Sequence, residues 1–391
     1  MKTAKIFTYP LFALGFRPFF LLAGLAALSL MLLWNGIYKG EIAPANYYPG
    51  SYWHAHEMLL GYSSAVIAGF LLTAVRNWTG EETLTGDQLA GLCLLWLYGR
   101  ILPFYSGLLP DLLIASVDFA FLPVLAWQVA QPILQTRNWR NAIFVLLLII
   151  LAAGNALIHA QLLGICADTA ATGIRLLVAT ITLMILVIAG RVFPFFTERA
   201  LPGMLAMRNP QLDLLAVASA VAVFIELMLQ ISGTLLALTA TSAMLFNVLR
   251  VSGWYVQRVW YIPLLWILYA GYAWIILGFA LTALSAYAWV AQDLALHAFT
   301  LGGIGLLTLG MMARVALGHT GRGLKASNAI ALAFALLNLA GLLRVLVPIT
   351  WSSGFAVLLY AATLLWLAAF ALFMYVYTPI LTTPRIDGTA G

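Results

Sequence analysis

Charged side chains are scarce in this sequence: Asp, Glu, Lys and Arg make up 8% of its 391 residues, where a soluble globular domain carries about 25%. Cysteine is nearly absent as well. Cys93 and Cys166 are the only two, too few to build a disulfide framework or a thiolate metal site on their own. Histidine is limited to five positions. No run of basic residues interleaved with aromatics marks a binding arm, so nucleic acid is excluded as a partner. No glycine-rich phosphate loop precedes a helix with a lysine, which argues against nucleotide chemistry. Ser63 and Ser64 share a helix face with His56, but no strained nucleophile turn surrounds them and a catalytic triad is unsupported.

The chain is filled instead with apolar residues: 64% are hydrophobic and 13% aromatic, with a mean hydropathy of +1.00. These values define an integral membrane protein whose surroundings are membrane lipid. Cutting the apolar runs at charges, prolines and glycine clusters predicts twelve spans. They are Phe19–Ile37, His54–Val75, Leu89–Leu108, Leu112–Val129, Ala142–Leu163, Gly173–Phe193, Leu212–Ile231, Thr234–Val251, Tyr261–Leu284, Asp293–Leu317, Ala326–Val347 and Phe355–Tyr377. The seventh and eighth are joined by little more than Ser232 and Gly233. No linker or soluble domain interrupts the series, so residues 1–391 read as a single all-α domain, a polytopic transmembrane helical bundle. The first apolar stretch is broken by Arg17 and Pro18 and lacks a small-residue cleavage site, so it reads as a retained span.

Orientation follows from the basic residues. With the N-terminus inside, only Lys39, Arg100, Arg175 and Arg344 fall on the outer side, leaving fifteen of the nineteen Lys and Arg for the cytoplasmic side. That positive-inside bias puts both termini in the cytoplasm. Depth can then be read. His54 and His56 open the second span, in Trp-His-Ala-His-Glu; His159 lies near the outer end of the fifth and His297 near the outer start of the tenth. His319, about 33 Å beyond His297 at 1.5 Å per residue, belongs to the cytoplasmic side and reads as a loop residue. Arg100, Arg175 and Arg344 share the level of the four outer histidines, and so do Asp118, Glu226 and Asp293. Ionisable groups at such depth are costly in lipid and normally face the bundle interior with a functional role.

Imidazole binds transition metals and haem iron through a neutral ring nitrogen. His54, His56, His159 and His297 are therefore the candidate metal and haem ligands, and Arg100, Arg175 and Arg344 are candidate partners for haem propionates. Asp293 and His297 are four apart on one helix face, so Asp293 can orient the ring, which makes His297 the best single haem ligand. Asn155 and His159 repeat that spacing, and His54 and Glu57 also share a face. His54 and His56 are about 200° apart around a helix. Either the entrance is non-helical, or each histidine serves a different centre, as one haem and one separate metal ion would allow. Gly302, Gly303, Gly305 and Gly310 read as close helix packing. Glu226 has no partner legible in the sequence.

Six motifs resemble the NnrS family of bacterial inner-membrane proteins. They are Leu-Gly-Phe-Arg-Pro-Phe-Phe at Leu14–Phe20, the stretch Trp53–Tyr62, Gly69–Gly80, Gly190–Thr197, His297–Gly305 and Arg314–Arg322. They fall in order along essentially the whole chain. The resemblance implies a twelve-spanning protein containing haem (haem b is expected here) and copper, associated with resistance to nitric oxide and nitrosative stress in denitrifying and related bacteria. It further implies nitric oxide or another small diatomic ligand as partner, with an electron donor still to be identified. The arrangement is also similar to the haem-copper oxidases, but those use six metal-binding histidines, so four outer histidines exclude a full three-centre site unless other residue types serve as ligands. Two alternatives stand beside this reading. One is a nitric oxide reductase or quinol-linked oxidoreductase, for which no quinone motif is legible. The other is a transporter or haem-handling protein, for which an inverted repeat would be expected and none is evident.

Overall fold

A computed structural model describes residues 9–42 and 46–388; Lys2 and Lys5, counted above on the cytoplasmic side, lie outside them. The described residues form twelve principal helices and no β-strand. These are α1 (Phe16–Tyr38), α2 (Gly50–Thr79), α3 (Gly86–Ile101), α4 (Asp111–Gln135), α5 (Ala142–Leu162) and α6 (Ala170–Ala200). They continue with α7 (Pro210–Met228), α8 (Thr234–Ser252), α9 (Pro263–Ser285), α10 (Gln292–His319), α11 (Asn328–Thr350) and α12 (Phe355–Thr382). Each predicted span corresponds to one helix, and eleven are long and apolar enough to cross a membrane. The exception is α3, whose 16 residues rise only about 24 Å. Pro103 lacks the N–H that would continue it, and the chain passes into a 3-10 turn over Leu102–Tyr105.

The short junction between α7 and α8 is a true hairpin. Gly233 takes φ +77°, open to glycine without a Cβ clash, and its N–H donates to the Ala286 carbonyl at 3.0 Å. His319 closes α10 as its last residue, a helix end where a loop position was expected. Three spans also carry π-helical segments: Glu57–Ser63 in α2, Ala298–Gly305 in α10 and Leu342–Leu346 in α11. The first follows His56, the second follows His297 and the third contains Arg344. Such segments cluster at functional sites because the wider turn re-aims the side chains around it.

Contacts divide the chain into two compact units, Met1–Leu177 with Met312–Leu324 and Phe370–Gly391, and Val178–Met311 with Lys325–Ala369. In the first, α1 packs on α2, and α4 packs on both α3 and α5. The α1–α2 approach is close enough that a Cβ at Gly69 would lie 2.8 Å from the Phe20 ring. In the second, α8 packs on α7 and α9, and α9 packs on the π segment of α10. A Cβ at Gly302, Gly303 or Gly310 would meet Trp274, Ile275 or Ile267 within 2.5–2.8 Å. These glycines let helices approach, as their pattern predicts. Glu226 gains a partner here, since Thr239 donates to its Oε2 at 2.6 Å.

Candidate metal centre

In the first unit, four spans bring polar groups to one place. The start of α2 supplies His56 and Glu57, the end of α3 Arg100, the early part of α4 Asp118, and the end of α5 Asn155 and His159. The level inferred from charge and hydropathy is thus a real meeting point for these residues. His56 is 0% exposed, Glu57 1%, Asp118 3% and His159 5%, while Arg100 is half-buried.

Asp118 is the hub. Arg100 holds its Oδ1, while Oδ2 lies 2.9 Å from Asn155 Nδ2, 3.0 Å from His159 Nε2 and 3.2 Å from His56 Nε2. On its other side, His56 Nδ1 is 3.0 Å from Glu57 Oε1, and Arg100 NH1 is 3.1 Å from the same oxygen. Two tyrosines from the segment before α2 complete the cluster. The Tyr48 hydroxyl lies 3.0 Å from His56 Nε2 and the Tyr47 hydroxyl 3.2 Å from His159 Nδ1. Burial pushes both phenols above their usual range, so each keeps its proton and can donate.

The hydrogen-bond pattern sets the histidine chemistry. His56 has a carboxylate on each side, and a carboxylate only accepts; when Nδ1 donates to Glu57, Nε2 turns its lone pair toward Asp118 Oδ2, two acceptors that a cation between them would reconcile. A carboxylate behind one ring nitrogen is the arrangement that fixes metal-binding histidines. One nitrogen from each of His56 and His159 and one Asp118 oxygen lie within 4.8 Å of one another. Two glycines make room for the carboxylates. A Cβ at Gly61 would lie 3.0 Å from Glu57 Oε2, and one at Gly99 would lie 2.9 Å from Asp118 Oδ1. Beside the cluster, between Trp96, Gly99, Arg100 and Asn155, is about 10 Å³ of space, the room of about one water molecule.

Three features fit this cluster to a metal cation. The centre sets two carboxylates, Glu57 and Asp118, against one guanidinium, Arg100, a formal excess of one negative charge that a cation would balance. Glu57 Oε2 is buried with no hydrogen-bond partner among the described residues, an expensive state for a charged oxygen. The donor set, two imidazoles and one carboxylate, suits copper, zinc or iron in preference to magnesium or calcium.

The second unit holds a smaller group. Arg344 NH2 lies 2.7 Å from Asp293 Oδ2 and 3.3 Å from His297 Nε2. His297 Nδ1 is 2.9 Å from the Asp293 carbonyl oxygen and 3.0 Å from its Oδ1. The four-residue spacing therefore does bring Asp293 to the ring, and the Nε2 lone pair faces the Arg344 guanidinium, which can only donate. Arg344 NH1 is buried with no partner among the described residues.

Other expected site residues are placed differently. His54 stacks on Trp34, ring centroids 4.5 Å apart, away from the cluster that holds His56. Since the entrance to α2 is regular helix up to His56, two residues 200° apart cannot share a centre. Glu57 pairs with its neighbour His56 instead of with His54. Arg175, half-buried on α6, takes part in neither group. Arg100 and Arg344 have carboxylate partners from the chain itself, so the burial of neither requires a propionate. Asp118 shares the depth of the histidines in the sequence, but only the packing of α4 against α3 and α5 reveals its central position. Tyr47 and Tyr48 lie outside any span and carry no periodic signal, and so escape sequence reasoning altogether.

Fold and site together define a multi-pass helical membrane protein with a buried histidine–carboxylate–arginine centre of metal-binding type. A family model described as NnrS protein matches residues 10–385, and the chain belongs to the NnrS family, membrane proteins related to nitric oxide stress. Among curated proteins, no sequence matches the chain.

Proposed function

We propose that this chain is a haem- and copper-bearing protein of a bacterial inner membrane that protects against nitric oxide by binding or converting it. The observation that carries the proposal is the convergence of His56, His159 and Asp118 in a chain with only five histidines. In this reading His56, His159 and Asp118 hold copper, with Glu57 and Asn155 orienting them. His297 would hold haem b once Arg344 turned from its ring, with Asp293 fixing the ring and Arg344 available to a propionate. His54 and Arg175 are assigned no ligand role.

A bound metal would supply one-electron chemistry and an attachment point for a diatomic ligand. The chain's own groups do the rest. Glu57 holds the Nδ1 proton of His56 and keeps Nε2 facing the site. Arg100 offsets one of two carboxylates that would otherwise repel each other in a medium of low dielectric. Tyr48 donates to Asp118 Oδ2 at 3.3 Å, and the Tyr47 oxygen accepts the Nδ1 proton of His159, so neither phenol takes up the lone pair that a metal would need. The space beside Asp118, walled by Trp96 and Phe121 together with Arg100 and Asn155, has room for about one water-sized group. Metal and haem content of the purified protein, with its optical spectrum, tests the proposal. A preparation containing neither haem nor copper would remove it.

A further inference from the structure

At the far end of the first unit from the metal centre, basic side chains from four stretches surround the C-terminal segment. Arg17, fully buried in α1, donates from NH1 to the carbonyls of Leu381 at 3.0 Å and Thr383 at 2.7 Å. Arg385 donates to the His319 carbonyl at 3.0 Å and pairs with Asp387 at 2.5 Å. Arg322 NH2 lies 3.4 Å from Thr383 Oγ1, and the Ile386 N–H donates to the Thr320 carbonyl at 3.3 Å. The last turn of α2 joins them. The Phe16 N–H donates to Thr73 Oγ1 at 3.1 Å, which brings the last turn of α2, with Arg76, to the end of α1 that carries Arg17.

Among the described residues, the half-buried Arg76, Arg322 and Arg385 have one ion pair between them, that of Arg385 with Asp387. The exposed Glu81 and Glu82 form no ion pair with a described residue, and the carbonyl end of α12 supplies only about half a negative charge. Arg76, Arg322 and Arg385 are half-buried, within reach of a ligand from outside. Arg76 follows His56 by twenty residues on α2, about 30 Å, which is the thickness of a bilayer core. The cluster therefore stands at the opposite membrane interface from the metal centre.

We propose that this cluster binds the phosphate of an anionic lipid headgroup, which would tie the ends of α1, α2 and α10 to the C-terminal segment. Guanidinium groups match phosphate through paired hydrogen bonds, and basic pockets at helix ends bind acidic headgroups at that level. The test uses the full-length protein in detergent, with phosphatidylglycerol or phosphatidylcholine added and thermal unfolding measured. Phosphatidylglycerol should raise Tm by several degrees above phosphatidylcholine. Raising sodium chloride from about 0.1 M to about 1 M, which shortens the Debye length from about 10 Å to about 3 Å, should reduce that gain. The double variant Arg76→Gln/Arg322→Gln should lose most of the gain and keep its Tm in phosphatidylcholine. If it does not fold, Arg76→Lys/Arg322→Lys, which retains charge without the forked geometry, should show a smaller gain than wild type. Equal Tm in both lipids, or an undiminished gain in the variant that folds, would overturn the proposal. The same gain from inorganic phosphate alone would overturn the lipid assignment.

Discussion

Asp118 and Arg100, on consecutive spans, lock together through Oδ1 and NH2, while the other oxygen of the same carboxylate faces two imidazoles. One aspartate thereby joins the charge balance of α3 and α4 to the donor set of the centre. Replacing Arg100 by Gln would leave Glu57 and Asp118 buried without a counter-charge. Breaking a buried pair in this way costs about 3–5 kcal/mol, so the variant should unfold at a clearly lower temperature. A loss of less than about 0.5 kcal/mol, the range of an ordinary surface change, would show that the pair supports nothing.

Gly99 offers a more local test. Its added methyl would press on Asp118 Oδ1 from 2.9 Å, an overpacking that costs about 1–3 kcal/mol. Gly99→Ala should lower both stability and metal retention. Gly91→Ala on the same helix meets nothing within 4 Å and should leave both unchanged. Equal behaviour of the two variants would mean that Asp118 is not held by fit.

Much of this arrangement is legible in the sequence, and the remainder fails for identifiable reasons. Hydropathy and charge place all twelve helices, because lipid forces apolar length and loop charge on any spanning helix. The same reasoning puts His56, His159 and Arg100 at one level, and the four-residue spacings of Asn155 with His159 and Asp293 with His297 are confirmed as shared helix faces. Partnership across helices is another matter. That Asp118 takes Arg100, and that Glu57 turns to His56 and away from His54, depend on inter-helix packing and on a π segment that hydropathy cannot register. Thr320 illustrates the same limit: it follows a span and looks like a loop position, yet it is fully buried.

For that reason the sidedness test uses Cys166, which is exposed while Cys93 is buried, and Gly323, exposed beyond the end of α10. An impermeant thiol reagent should label Cys166 from the periplasmic side of intact cells. A Gly323→Cys variant lacking Cys166 should label only after the membrane is opened. Labelling of both from one side would refute the positive-inside orientation and, with it, the cytoplasmic termini.

The haem assignment separates two histidines on one helix. His297→Ala should abolish or shift the haem absorption bands, because Asp293 orients that ring for ligation. His319→Ala should leave the bands nearly intact, its ring lying 5.7 Å from Phe16 at the other end of α10. The reverse pattern would move the haem site away from Asp293 and Arg344.

The most direct measurement is the copper content per chain of purified wild-type protein, set beside His56→Ala/His159→Ala, Asp118→Asn and His297→Ala. The buried centre predicts stoichiometric copper in wild type and in His297→Ala, with its loss in the double-histidine variant and a sharp reduction in Asp118→Asn. Copper retained at wild-type level after removal of both His56 and His159 would contradict the assignment of the metal to this centre.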